Sequence, residues 1–162
     1  MARQSNPQMS AKTVFGSYRR DAVGKAFARS IEGALTQCGY DVFLDVDSID
    51  AGDWETRLLS EIPSNAHFLF LLTSGALDRC QDPKDWFRRE FECARESARN
   101  IVPVLNDSVD LAAMKASCPP DMSSVFIYQA AELRHRHFHA DIATLITRFI
   151  SAHQAPAPAL RQ

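Results

Sequence analysis

Six consecutive residues, His67-Phe68-Leu69-Phe70-Leu71-Leu72, constrain this chain more than any other stretch. They are nearly continuous in apolar character, the pattern of a strand covered on both faces in the middle of a parallel sheet. Parallel neighbours need helical crossovers, and the flanking sequence supplies them. Thr13 to Tyr18 reads as a first strand, with Gly16 marking close approach of another backbone or a ligand. Asp21 can cap a helix carrying Val23, Phe27, Ile31, Ala34, Leu35 and Cys38 at helical spacing, and Gly39 ends it. Asp41 to Leu44 is a second strand, and Trp54, Leu58, Leu59 and Ile62 lie on a helix stopped by Pro63.

After the central strand, Asn100 to Leu105 reads as a fourth strand, near an edge or at a bulge because Pro103 forfeits a ladder bond. A short helical patch spans Leu111 to Met114, Ser124 to Tyr128 reads as the fifth strand, and Phe138, Ile142, Leu145, Ile146, Phe149 and Ile150 mark a last amphipathic helix. Strand and helix alternating five times give an α/β fold, a flavodoxin-like three-layer sandwich with a five-stranded parallel sheet and helices on both faces. Ligands in such sheets sit beyond the carboxyl ends of the strands. Residues 1–11 read as a disordered leader, 12–152 as the domain, and 153–162 as a disordered tail or linker.

Composition narrows the function. The 162 residues suit one domain, and 20 acidic against 18 basic side chains leave no electrostatic reason to bind nucleic acid or an anionic membrane. No segment approaches a membrane span and no signal-peptide core opens the chain, so a cytoplasmic location is expected. Cys38, Cys80, Cys93 and Cys118 form no CxxC pair and read as reduced thiols. His135, His137 and His139 alternate but have no carboxylate or cysteine partner, so no metal site is expected. Asp45 and Asp47 resemble a phosphoacceptor arrangement, but the first strand lacks the acidic pair needed to hold magnesium.

The chemistry concentrates in Asp82 to Ala94. Asp82 and Pro83 predict a helix start, Asp85 adds charge to its first turn, and Phe87, Phe91, Ala94 and Ala98 form its apolar stripe. Trp86 and Glu90, four apart, lie along the edge of that stripe. The positions three and four from Glu90 are Trp86, Phe87, Cys93 and Ala94, none of which can pair with a carboxylate. Glu92, with Arg88, Arg89 and Arg95 at contact spacing, reads as a solvated, salt-bridged residue. An unpaired carboxylate beside an indole suits acid–base or cation-stabilising work. The competing reading has Trp86 capping the core and Glu90 pointing to water.

With these residues in place, the chain resembles the Toll/interleukin receptor (TIR) domain family over nearly all of Thr13 to Ser151. The matching blocks are Val14 to Arg20, Val42 through Gly52, Ser74 to Asp78, Asp85-Trp86 with Glu90, and Asn100 to Val104, in that order. Within the family it is similar to the NAD-cleaving members, the animal axon-degeneration TIR and its bacterial and plant relatives, whose catalytic glutamate lies four residues after a tryptophan. The resemblance implies an NAD nucleosidase in which Glu90 is catalytic and Trp86, Ser17, Tyr18, Arg19, Arg20, Phe43 and Asp45 contact substrate. It implies an assembly loop containing Asp47, Ile49, Gly52 and Trp54, the BB loop of the family. NAD is then the substrate, with no cofactor and no metal.

Products implied are nicotinamide with ADP-ribose or a cyclic isomer, formed in a defence or cell-death pathway. The resemblance also implies activation by homotypic TIR–TIR association, with a filament as one form it can take and a fused or separate sensor as a partner. The rival reading is a non-catalytic adaptor acting through the same association. Two positions depart from the family pattern: Gly16 replaces a bulky aliphatic residue at the pocket floor, and Asp53 follows Gly52 in the assembly loop.

Overall fold

The structure, a computed structural model, describes residues 10–44 and 54–153. Its five strands are β1 (Thr13–Ser17), β2 (Asp41–Leu44), β3 (His67–Leu72), β4 (Asn100–Leu105) and β5 (Ala131–Glu132), all parallel, in the order β2-β1-β3-β4-β5. The central run is the middle strand, buried at all six positions. Its side chains alternate between two cores, as the period of a strand requires. Phe68, Phe70 and Leu72 face α2 (Trp54–Ser64), α3 (Trp86–Glu96) and α4 (Leu111–Ser117), while Leu69 and Leu71 face α1 (Ala22–Gln37) and α5 (Phe138–Thr144). This is the flavodoxin-like sandwich. No helix among the described residues is long and apolar enough to cross a membrane.

An aromatic ladder carries packing from the sheet into α3. Phe43 stacks on Phe15 at 5.4 Å between centroids, Phe15 on Phe68 at 5.7 Å, and Phe70 on Phe87 at 4.1 Å and Phe91 at 5.1 Å. On the other side, Asp21 caps α1 by accepting from the Gly24 amide, and Gly39 follows the helix at φ 89°. Gly24 is obligatory in a steric sense, since a Cβ there would sit 1.9 Å from the Arg19 carbonyl oxygen. It lets the β1–α1 turn fold tightly behind the candidate site. Val23 and Cys38, expected on the α1 stripe, are instead exposed, and Gly24 and Ala28 take the buried positions.

Several expectations change. Ser124 to Tyr128 is not a strand: Pro120–Phe126 forms 3-10 turns that bury Met122 and Val125, three apart, and leave Ile127 83% exposed. A three-residue period won over strand-forming side chains. The fifth strand is the next segment, pairing only Ala131 and Glu132 with Val104 and Leu105. That pairing begins after Pro103, so the missing amide interrupts no ladder to β5. Gly16 meets the Leu44 side chain, at 2.6 Å from a built Cβ, on the core face opposite α3, so it is not part of the pocket floor. The leader is tied earlier than expected: Ser10–Lys12 forms a 3-10 turn, and the Ala11 carbonyl accepts from Nε2 of buried His67 at 2.8 Å.

Helix α3 also starts and stops differently. Asp82 ends a 3-10 turn over Asp78–Gln81, and Asp85 is the true cap, accepting from the Arg88 amide at 3.1 Å. Ala98, expected on the stripe, lies beyond the helix, exposed, at φ 54°. A left-handed alanine costs about 1–2 kcal/mol that glycine avoids. Ala98→Gly is therefore expected to raise the melting temperature, corresponding to about 0.5–1 kcal/mol, in a thermal scan of both proteins.

Candidate active site

The site forms where β1 and β3 end and α3 begins. The turn after β1 brings Tyr18, Arg19 and Arg20; the segment after β3 brings Ser74, Gly75, Asp78, Arg79, Lys84 and Asp85; α3 contributes Trp86, Phe87 and Glu90. Together they line a cleft of about 610 Å³, within the range of about 300–1,000 Å³ typical of small-molecule sites.

Glu90 is far more buried than its sequence context required, at 4% exposure. Burial pushes its carboxyl up to about 8, while the Arg20 charge, the nearby Ser17 hydroxyl and Arg19 pull it down in part, and Asp85 opposes them. Neither Glu90 Oε2 nor Ser17 Oγ completes a hydrogen bond of good geometry, although both are buried. Two orphaned polar atoms beside one another at the edge of a cleft are costly and point to a ligand that would satisfy them. Trp86 stands half-buried at the mouth, with the Arg89 guanidinium 4.2 Å from its ring.

Arg19 lines the cleft as well, and it carries structural contacts that its sequence position does not mark. Its Nε donates to the Ala76 carbonyl at 2.6 Å, and Nη1 and Nη2 donate to the two Asp85 oxygens at 2.6 and 3.0 Å. Nη2 also approaches Cys80 Sγ at 3.4 Å, and the guanidinium covers Phe87 at 4.7 Å. Arg19 therefore borders the cleft but spends its guanidinium on bolting the end of β1 to the cap of α3. Burial alone would raise the Asp85 carboxyl; the Arg19 contacts and the Arg88 amide outweigh it and hold Asp85 below the usual carboxylate range. Arg20 is exposed and lines the cleft.

The remaining expectations divide cleanly. Ser17 ends β1 beneath Glu90, and Tyr18, Arg20 and Trp86 line the cleft as expected. Phe43 does not; it packs on Phe15 at the flank of the core. Trp54 is the first residue of α2, while Asp45, Asp47, Ile49 and Gly52 lie outside the described residues. Glu92 pairs with Arg88 at 2.7 Å, but Arg88 is itself buried and also donates to the Cys80 carbonyl and to Asp121, so it is a structural tie rather than a surface charge. His135 and His137 are exposed, and no cluster with metal-ligand geometry occurs among the described residues. Asp78, Arg79 and Lys84 escaped sequence reasoning because nothing in their spacing marks which way a loop faces.

The TIR domain family model matches residues 14–146. The chain is a TIR domain. This TIR domain is 33% identical over 141 residues to an NAD(+) hydrolase, tir-1, of Caenorhabditis elegans, covering 85% of this chain and 14% of that protein. It is 31% identical to NAD(+) hydrolase SARM1 of Danio rerio over 90% of this chain and 20% of the relative. It is 35% identical to NAD(+) hydrolase sarm1 of Drosophila melanogaster over 87% of this chain and 11% of the relative. The chain thus spans a fifth or less of the length of these relatives. Among solved structures, the TIR domains of the activated Roq1 resistosome, which directly recognizes the pathogen effector XopQ, superpose with a TM-score of 0.60 at 17% identity, covering 83% of this chain and 97% of that one. That likeness concerns the fold.

Proposed function

We propose that this TIR domain cleaves NAD at the bond between ribose and nicotinamide, releasing nicotinamide and ADP-ribose or a cyclic isomer. The observation that carries the reading is Glu90, a buried carboxylate with an orphaned oxygen at the edge of a cleft, four residues after Trp86. The names of the three relatives support it, since each is an NAD(+) hydrolase.

The chemistry needs little else. Nicotinamide leaves its ribose as a neutral molecule because the ring is already cationic, so no acid must protonate it. As the C–N bond breaks, positive charge develops on the ribose, and a fixed carboxylate stabilises it while accepting from a ribose hydroxyl. Water then adds to the anomeric carbon and loses a proton; capture by the adenine of the same molecule gives the cyclic product instead. Burial makes the Glu90 charge effective, since solvent screens it weakly. The cationic nicotinamide ring also favours the ionised carboxylate, offsetting the cost of burial at the moment it matters.

Activity is proposed to depend on self-association through the Asp45–Trp54 loop, in a defence or cell-death pathway. The test incubates the protein with NAD over a wide range of protein concentrations and follows free nicotinamide by chromatography. Nicotinamide release with specific activity that climbs with concentration is the expected result. No release at any concentration leaves the adaptor reading, and release at constant specific activity removes the dependence on assembly.

A further inference from the structure

With Arg19 committed to Asp85, the wall formed by the segment between β3 and α3 carries two other cations, Arg79 and Lys84, both exposed and lining the cleft. Neither side chain has an ion pair or hydrogen bond among the described residues. Their neighbours are occupied: Asp85 holds Arg19, and Asp21 caps α1. Asp78 is the remaining carboxylate of that wall, outnumbered by Arg79 and Lys84.

The wall is also stiff. The Cys80 amide donates to Leu77, the Asp82 amide to Arg79 and the Asp85 amide to Asp82, all at 3.0–3.1 Å, and the Asp82 side chain accepts from the Lys84 amide at 2.9 Å. Arg88, buried, anchors the turn from below through the Cys80 carbonyl at 2.8 Å. Two uncommitted cations carried on a hydrogen-bonded turn form a preorganised anion contact, because little backbone freedom is lost on binding.

We propose that Arg79 and Lys84 are the diphosphate-binding residues of this cleft, selecting a dinucleotide over a nicotinamide riboside. The proposal rests on the NAD reading above and deepens it. NAD carries its charges at two places, a cationic nicotinamide ring and an anionic diphosphate. The cleft has the matching polarity, a carboxylate at Glu90 and cations on the Arg79–Lys84 wall. Charge-assisted contacts to phosphate form equally in ground and transition states, so they act on affinity rather than on turnover.

The double variant Arg79→Ala/Lys84→Ala is therefore expected to raise KM for NAD about tenfold or more, with kcat within about twofold of wild type. Calorimetric binding of ADP-ribose, which keeps the diphosphate but lacks nicotinamide, should weaken by a similar factor. The charge-keeping variant Arg79→Lys/Lys84→Arg should retain most of the affinity. The assignment is overturned if wild type does not bind ADP-ribose, if the alanine variant binds it as wild type does, or if the charge-keeping variant fails as badly as the alanine one. The two readings separate: wild type that releases no nicotinamide yet loses ADP-ribose affinity on substitution keeps the diphosphate wall and discards the cleavage.

Discussion

Glu90→Gln is expected to lower nicotinamide release by about a hundredfold or more while the domain stays folded. The substitution preserves shape and hydrogen-bonding capacity but removes the charge proposed to stabilise a ribosyl cation, and preorganised electrostatic groups contribute on this scale. Glu92→Gln, which breaks a partly exposed pair with Arg88, is the control and should leave turnover near wild type. The pH dependence adds a second signature. The working form is the anion, and burial raises the Glu90 carboxyl to about 8, so kcat/KM of wild type should climb with pH towards that value. The limb should shift to lower pH in kcat, where the cationic ring is bound.

Stability should move the other way. A carboxyl raised above its ordinary 4.5 binds more protons in the folded than in the unfolded chain between about pH 4.5 and 8. Its contribution is present in full below that window and is lost as pH rises through about 8. Glutamine does not titrate, so the melting temperature of Glu90→Gln should overtake that of wild type on the alkaline side. A folded variant with near wild-type turnover would show that Glu90 is not the catalytic group.

The second large effect is expected at Arg19. Arg19→Ala removes a guanidinium whose side chain is 13% exposed and strands Asp85, 10% exposed, as a buried unpaired carboxylate. Breaking one side of a buried pair typically costs about 3–5 kcal/mol, a fall of roughly 10 °C in melting temperature for a domain of this size. Arg20→Ala, on an exposed side chain next in sequence, should stay within about 0.5 kcal/mol of wild type. Since the Arg20 charge is the main cation lowering Glu90, the variant should shift the rising limb of kcat/KM to higher pH. Acid titration sharpens the contrast. Asp85 is held low, so its contribution is present above its ordinary range and lost as pH falls through its folded value. Arg19→Ala should lose that acid-side dependence, and Arg20→Ala should keep it. Equal melting temperatures for the two variants would show that the Arg19–Asp85 tie does not hold the fold.

These contrasts mark what sequence makes legible. The central strand, the Asp21 cap and Gly39 are local devices, written within a few residues of where they act, and they were read correctly. Trp86 and Glu90 were legible as a pair because helical spacing is local too. The depth of Glu90 was not, because it depends on Ser17 and on how closely β1 lies against α3. Arg19 and Asp85 are 66 positions apart, and no periodicity links them. Asp82-Pro83 carries every local sign of a helix start, yet Asp85 takes that place. Its carboxylate is fixed by Arg19 and caps the Arg88 amide. Ser124 to Tyr128 misled for a related reason, since its strand-forming side chains are spaced equally well for a 3-10 turn with Met122 and Val125 inward.

The outer strands bear on how copies of this domain can meet. Among the described residues β5 offers two paired residues and β2 four, so neither described rim presents a long template for another chain's backbone. Short rims are a common protection against runaway fibre growth through sheet extension. Polymerisation through the described strands is therefore disfavoured. Order in any assembly falls to loops and helix surfaces, whose side chains can be altered one at a time without disturbing the sheet that positions Glu90.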